Sequence, residues 1–113
     1  MIDFTNILSG AYCTVGVFKV DIYIIKNKAN GCVYVGQSQL ASLRWEQHKK
    51  DLRKGNHVSK NMQKDWDVYG EDFFEFSILE RVFKNYANKY EAMWIQAYSG
   101  SKCYNHTHNK VKK

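Results

Sequence analysis

The chain contains no proline, only three cysteines, and no apolar run that approaches the roughly 20 residues a membrane-spanning helix requires. The last point argues against an integral membrane protein. An odd number of cysteines with no paired spacing is not a disulfide framework, and it reads as a protein of a reducing cytoplasm. The first fifteen residues, MIDFTNILSGAYCTV, lack a basic segment followed by a long apolar one, so no secretory leader is expected. Also missing are a glycine-rich phosphate loop, HExxH, GxSxG and paired CxxC motifs. Nucleoside triphosphate hydrolysis, zinc proteolysis and serine-hydrolase chemistry therefore lose their usual sequence support.

What is present is enough for one folded domain. The 113 residues are 44% hydrophobic and 15% aromatic, which supports a real core and argues against disorder. The net charge is +6, and its distribution is uneven. Residues 41–64 hold seven Lys and Arg against two acids, residues 65–91 hold seven acids against three bases, and residues 92–113 hold four bases and no acid. A basic middle followed by an acidic stretch describes two faces. Clustered cations beside aromatics suit a polyanion such as a phosphate backbone.

The pattern along the chain predicts β-β-α-α-β-α. VFKVDIYIIK over 17–26 is rich in β-branched and aromatic residues and reads as a strand. NKANG over 27–31 carries an Asn-Gly turn signal, and CVYV over 32–35 closes a hairpin. Helices are expected over 41–53, with Leu43, Trp45 and Leu52 as apolar positions, and over 58–69, with Met62, Trp66 and Tyr69 on one face. Gly55 and Gly70 follow them as stops. FFEFSIL over 73–79 reads as a third strand, and 86–98 as a third helix with Tyr90, Met93, Trp94 and Ala97 buried. This is an α+β (α/β) arrangement, a three-stranded antiparallel sheet flanked by helices. Residues 1–16 are expected to be an N-terminal extension, 17–106 the domain and 107–113 a basic tail.

Several side chains could carry chemistry. Tyr23 and Tyr34 sit on the two hairpin strands, and their hydroxyls share a face if Ile25 lies opposite Tyr34. Without that register they are ordinary strand tyrosines. Gly36 either ends the second strand or lets a ligand come close. Arg44 and His48, four apart, share one helix face, as a phosphate-binding pair or as part of a solvated surface. His57 lies in a loop just beyond Gly55. Glu91 stands among aromatics, where a carboxylate must be paired, exposed or bound to a cation. Cys103, His106 and His108 have no second ligand cluster and so do not make a zinc signature.

The order of these residues resembles the GIY-YIG nuclease family. Asp21-Ile22-Tyr23, Val33-Tyr34-Val35-Gly36, Arg44 with His48, the Gly55–His57 turn, Glu91 and Asn105 follow one another as in that family, over about residues 17–106. The similarity is strongest to the catalytic domains of phage intron-encoded homing endonucleases. The resemblance implies a divalent-metal-dependent DNA endonuclease that leaves 5′-phosphate and 3′-hydroxyl ends. It implies one Mg²⁺ or Mn²⁺ held by Glu91, with Arg44 on the scissile phosphate. Tyr23 would be general base, with His48 accepting or sharing its proton, and Tyr34 would position water or phosphate. His57, Asn105 and Gly36 are accessory positions. Lys49, Lys50, Arg53, Lys54, Lys60, Lys64 and Lys102 are the expected DNA contacts. With no long recognition region in these 113 residues, low sequence specificity is expected, or a second copy or a separate partner that reads sequence. A stand-alone cytoplasmic enzyme of phage or mobile-element origin is the resulting expectation.

The chain departs from the family at Asp21, where glycine is usual, and at Val35 in the second motif. A side chain at Asp21 would either disturb the strand or add a carboxylate to the site. The rival expectations are a catalytically silent DNA-binding module on the same fold, and a protein-interaction domain whose basic surface is incidental.

Overall fold

The structure, a computed structural model, describes residues 18–98 and 103–105. The proposed extension (1–16), the tail (107–113), Lys102, His106 and His108 lie outside them. Three strands, β1 (Lys19–Asn27), β2 (Val33–Ser38) and β3 (Phe74–Phe83), form one antiparallel sheet in the order β2-β1-β3. Three helices accompany them, α1 (Ala41–Lys54), α2 (Lys60–Tyr69) and α3 (Ala87–Tyr98). Short 3-10 turns at Glu71–Phe73 and Lys84–Tyr86 lead into β3 and α3.

The central strand explains the layering. Both faces of β1 are covered, so its side chains are buried on both sides instead of alternating with polar ones. Tyr23 and Ile25 face one way and join Ala41 and Leu52 of α1, Met62 and Trp66 of α2, Phe74 and Tyr104. Ile22 and Ile24 face the other way and join Val33 and Val35, against Tyr90, Trp94, Ile95 and Tyr98 of α3. Burying a side chain such as Ile22 or Ile25 contributes roughly 1.5–3 kcal/mol.

The turn between β1 and β2 is built by its own side chains. Asn27 Oδ1 accepts from Ala29 N, Asn30 Oδ1 accepts from Cys32 N, and Gly31 takes the left-handed conformation at φ 81°. At the end of α1, Gly55 at φ 83° donates its amide to Asp51 and Leu52 carbonyls, with Arg53 and Lys54 in the last turn. Ser59 begins α2, its Oγ accepting from Met62 N.

Four expectations change in detail. β3 runs on to Phe83. Its pairing to β1 shifts between Ile22 and Tyr23, where Glu80 and Ile78 are the successive partners and Leu79 is the extra residue of a bulge. The bulge turns Leu79 and Val82 towards α3. On α3 the inward stripe is Ala87, Tyr90, Glu91, Trp94, Ile95 and Tyr98, and Met93 is 55% exposed. The helical period was right and its phase was not, because Ile95 and Tyr98 place the stripe's centre on the far side of Trp94. Likewise α1 buries Ala41, His48 and Leu52, and leaves Leu43 outside. On α2, Met62, Gln63 and Trp66 are buried, and Tyr69 is peripheral, against Phe73.

Candidate active site

Register brings the two tyrosines together. Ile25 is opposite Tyr34 and Tyr23 is opposite Gly36, so both phenols lie on the α1 side of the hairpin. A Cβ on Gly36 would come within 2.5 Å of Tyr23 Oη and 2.6 Å of its Cζ. The missing side chain is therefore the seat of the Tyr23 ring, which is buried and has no room to swing away.

His48, on the sheet-facing side of α1, places Nε2 2.7 Å from Tyr23 Oη. Its Nδ1 lies 2.7 Å from His57 Nε2, and His57 Nδ1 accepts from Ser59 N at 2.9 Å. His57, placed in a loop by the sequence, is buried with its ring stacked on His48. Gln63 holds that loop, accepting from His57 N and donating to the Leu52 carbonyl. Tyr34 packs edge-on against both imidazoles.

Arg44 is one turn before His48, and its charge reaches Tyr23, Tyr34 and His48. Burial raises Tyr23 well above the ordinary tyrosine range; the nearness of Tyr34 and Glu91 adds to this, and Arg44 opposes it. Tyr34 is raised for the same first reason, burial. Burial, then His57 and Arg44, pushes His48 down to about 3, so the ring is neutral near pH 7.

Glu91 is half-buried within the inward stripe of α3, and its charge is felt at both tyrosines. Gln37 Nε2 donates to Glu91 Oε1 at 2.7 Å and to Asn88 Oδ1 at 2.8 Å. Neither Gln37 nor Asn88 was expected. The available signals were that Gln37 directly follows Gly36 and that Asn88 precedes Glu91 by three on one helix face. The donor set suits a hard divalent cation. It offers one carboxylate, and both His48 nitrogens are already engaged. Among the described residues no group of three His, Cys, Asp or Glu forms an all-protein cage. One carboxylate plus waters and phosphate oxygens is a common arrangement for Mg²⁺.

Asn105 uses its side-chain amide as a piece of strand. Its Oδ1 accepts from Val35 N at 2.7 Å and its Nδ2 donates to Val35 O at 2.8 Å, closing the free edge of β2 between Tyr34 and Gly36. Asp21 does not enter the site. Its buried carboxylate accepts from Ala41 N, at the first turn of α1, and from Arg81 Nε on β3. It therefore fixes the helix that carries Arg44 and His48.

The expected DNA contacts are not alike. Lys50, Lys54, Lys60 and Lys64 are exposed on α1 and α2. Arg53 is held by both Glu71 oxygens, at 3.0 and 2.7 Å. Lys49 lies over the Phe76 ring, 3.9 Å from Glu46.

Paired tyrosines, an arginine, an imidazole and a single carboxylate around a three-stranded sheet define a class, and comparison with known proteins agrees with it. A family model described as the GIY-YIG catalytic domain matches residues 19–105, and the chain belongs to that endonuclease family. It is 41% identical over 80 residues to intron-associated endonuclease 1 of Enterobacteria phage T4. That match covers 69% of this chain and only 32% of the phage protein. Among solved structures it is similar to the catalytic domain of the homing endonuclease I-TevI, with a TM-score of 0.69 and 36% identity over 75% of this chain and 95% of that one. A mutant of the I-TevI catalytic domain matches with a TM-score of 0.66 and 38% identity, covering 72% and 84% of the two chains.

Proposed function

We propose that this protein is a divalent-metal-dependent DNA endonuclease in which Tyr23 is the general base. The single observation that carries this reading is the convergence on one buried phenol: Tyr23 Oη is seated on Gly36, bonded to His48, and within the fields of Arg44, Tyr34 and Glu91. In this reading Arg44 holds the scissile phosphate and stabilises the charge that builds on it. Tyr34 orients the attacking water. Tyr23, once it has lost its own proton, takes the water's proton as the new P–O bond forms and the bond to the 3′-oxygen breaks, leaving a 5′-phosphate; the 3′-oxygen takes a proton from solvent. Glu91 would hold the cation, Mg²⁺ or Mn²⁺, which when bound supplies charge neutralisation at the phosphate. Gln37 keeps the Glu91 carboxylate in one orientation.

Lys50, Lys54, Lys60 and Lys64 would track the phosphate backbone, with little sequence preference, because phosphate contacts position without reading bases. Arg53, tied to Glu71, would contribute less. The chain spans only 32% of the length of the phage relative it matches. The phage relative supports an origin in phage or a mobile element and a place of action in the host-cell cytoplasm. Purified protein on supercoiled plasmid with Mg²⁺ should give open-circle or linear DNA, and EDTA should prevent it. A gel shift without conversion would instead support a silent binding module.

A further inference from the structure

We infer that the Ser59 backbone amide, acting through His57, fixes the direction of the imidazole chain so that His48 Nε2–H donates to the Tyr23 hydroxyl and does not accept its proton. This deepens the nuclease reading and rests on Tyr23 being the base. One donor in this chain of hydrogen bonds cannot reverse. A backbone N–H only donates, and Ser59 N points at His57 Nδ1 from 2.9 Å. Nδ1 of His57 must therefore be unprotonated, and the neutral ring carries its proton on Nε2. That nitrogen is 2.7 Å from His48 Nδ1, which must then be the acceptor. His48 in turn carries its proton on Nε2, 2.7 Å from Tyr23 Oη. Reversing the chain would set a His57 Nδ1–H against the Ser59 N–H, donor facing donor. Charging either ring creates the same conflict. Ser59, His57, His48 and Tyr23 are all buried, so water is poorly placed to relieve it.

Tyr23 Oη thus receives a hydrogen bond from His48, and its own proton points away from His48. That donor and the nearby Arg44 charge both favour the phenolate. To become a base, Tyr23 gives up its proton on the side away from His48, to a water that enters with the substrate; the phenolate then takes one proton from the attacking water. His48 supports the charge and stores no proton. His57 is a positioning residue, because it acts only through His48.

The test is the tautomeric state of the rings, read by long-range ¹H–¹⁵N correlation on the ¹⁵N-labelled full chain at pH 7. Nε2–H with bare Nδ1 at both His48 and His57 is expected. Nδ1–H at His48, or a rapidly averaged mixture there, overturns the proposal. A second arm compares His57→Gln, whose side-chain N–H can still reach His48, with His57→Leu, which has none. His57→Leu should release His48 into a tautomer mixture and lower kcat by about 10- to 100-fold, as loss of an orienting partner commonly does. His57→Gln should recover most of both. An unchanged His48 signal in folded His57→Leu would remove His57 from the role. Failure of the wild type to cut plasmid would overturn the nuclease reading and leave the tautomer result standing, so the two failures are distinguishable.

Discussion

The two faces of the sheet are built from the same strand and do opposite things. On the α3 face, Ile22, Ile24, Val33 and Val35 make a buried aliphatic layer. On the α1 and α2 face, the same register places Tyr23 and Tyr34 beside two buried histidines, with Asp21 tying the helix to the strand. Buried polar groups cost stability unless each is satisfied. The two histidines meet that condition as a chain, with each imidazole nitrogen bonded. One face of β1 supplies folding energy and the other holds the tyrosine and imidazoles in place, with Glu91 reaching them from α3. Alternation along β1 keeps the two requirements apart.

The largest effect should come from Glu91→Ala. Loss of several kcal/mol of charge stabilisation predicts at least about a 10³-fold fall in cleavage. Gel-shift affinity for DNA should change little, because Glu91 is not among the basic contacts. Next is Gly36→Ala, where the new methyl meets Tyr23 Oη and Cζ. Overpacking should cost about 1–3 kcal/mol in chemical denaturation. Cleavage per folded molecule should fall disproportionately, by about tenfold or more, since misplaced reacting groups lose rate steeply.

pH separates the faces further. Tyr23 is raised by burial, so the fraction in the base form grows about tenfold per pH unit well below its pKa, and cleavage should climb with that slope through pH 6–9. His48 is lowered from 6.5 to about 3 in the fold, so between those values the unfolded chain binds the extra proton. Its contribution to stability is therefore complete above 6.5 and is lost as pH falls towards 3. Thermal melts should shift down over that range, and His48→Gln should flatten the dependence. The smallest effect belongs to the aliphatic layer of the sheet beneath α3. Ile22→Val should lower stability by about 0.5–1.5 kcal/mol and leave cleavage per folded molecule unchanged.

Much of this arrangement was legible in the sequence. Element order followed from the β-branched run at 17–26, the Asn-Gly turn and two helical periods closed by glycines, and the structure has that order. The shared face of Tyr23 and Tyr34 was conditional on Ile25 opposing Tyr34, and it does. Periodicity predicts that a stripe exists and leaves its phase open, which is why Met93 and Leu43 came out exposed. The bulge at Leu79 depends on pairing between distant strands and has no local mark. The bond partners of Asp21, Asn105 and Arg53 lie 18 or more residues away in sequence, beyond what spacing can show. Loop position says nothing of burial, so the sequence could give His57 only as an accessory position; its partner, His48, is nine residues away across the end of α1 and a loop.

The most direct test of the account is Tyr23→Phe, assayed beside wild type for single-turnover plasmid cleavage, DNA affinity and melting temperature. The ring still fills its seat on Gly36, and only the hydroxyl between His48 and Arg44 is removed. The account predicts a cleavage loss of about 10²–10⁴-fold, as expected for a general base, with a folded protein that still shifts DNA. Cleavage within about threefold of wild type, well short of what loss of a general base costs, would contradict it.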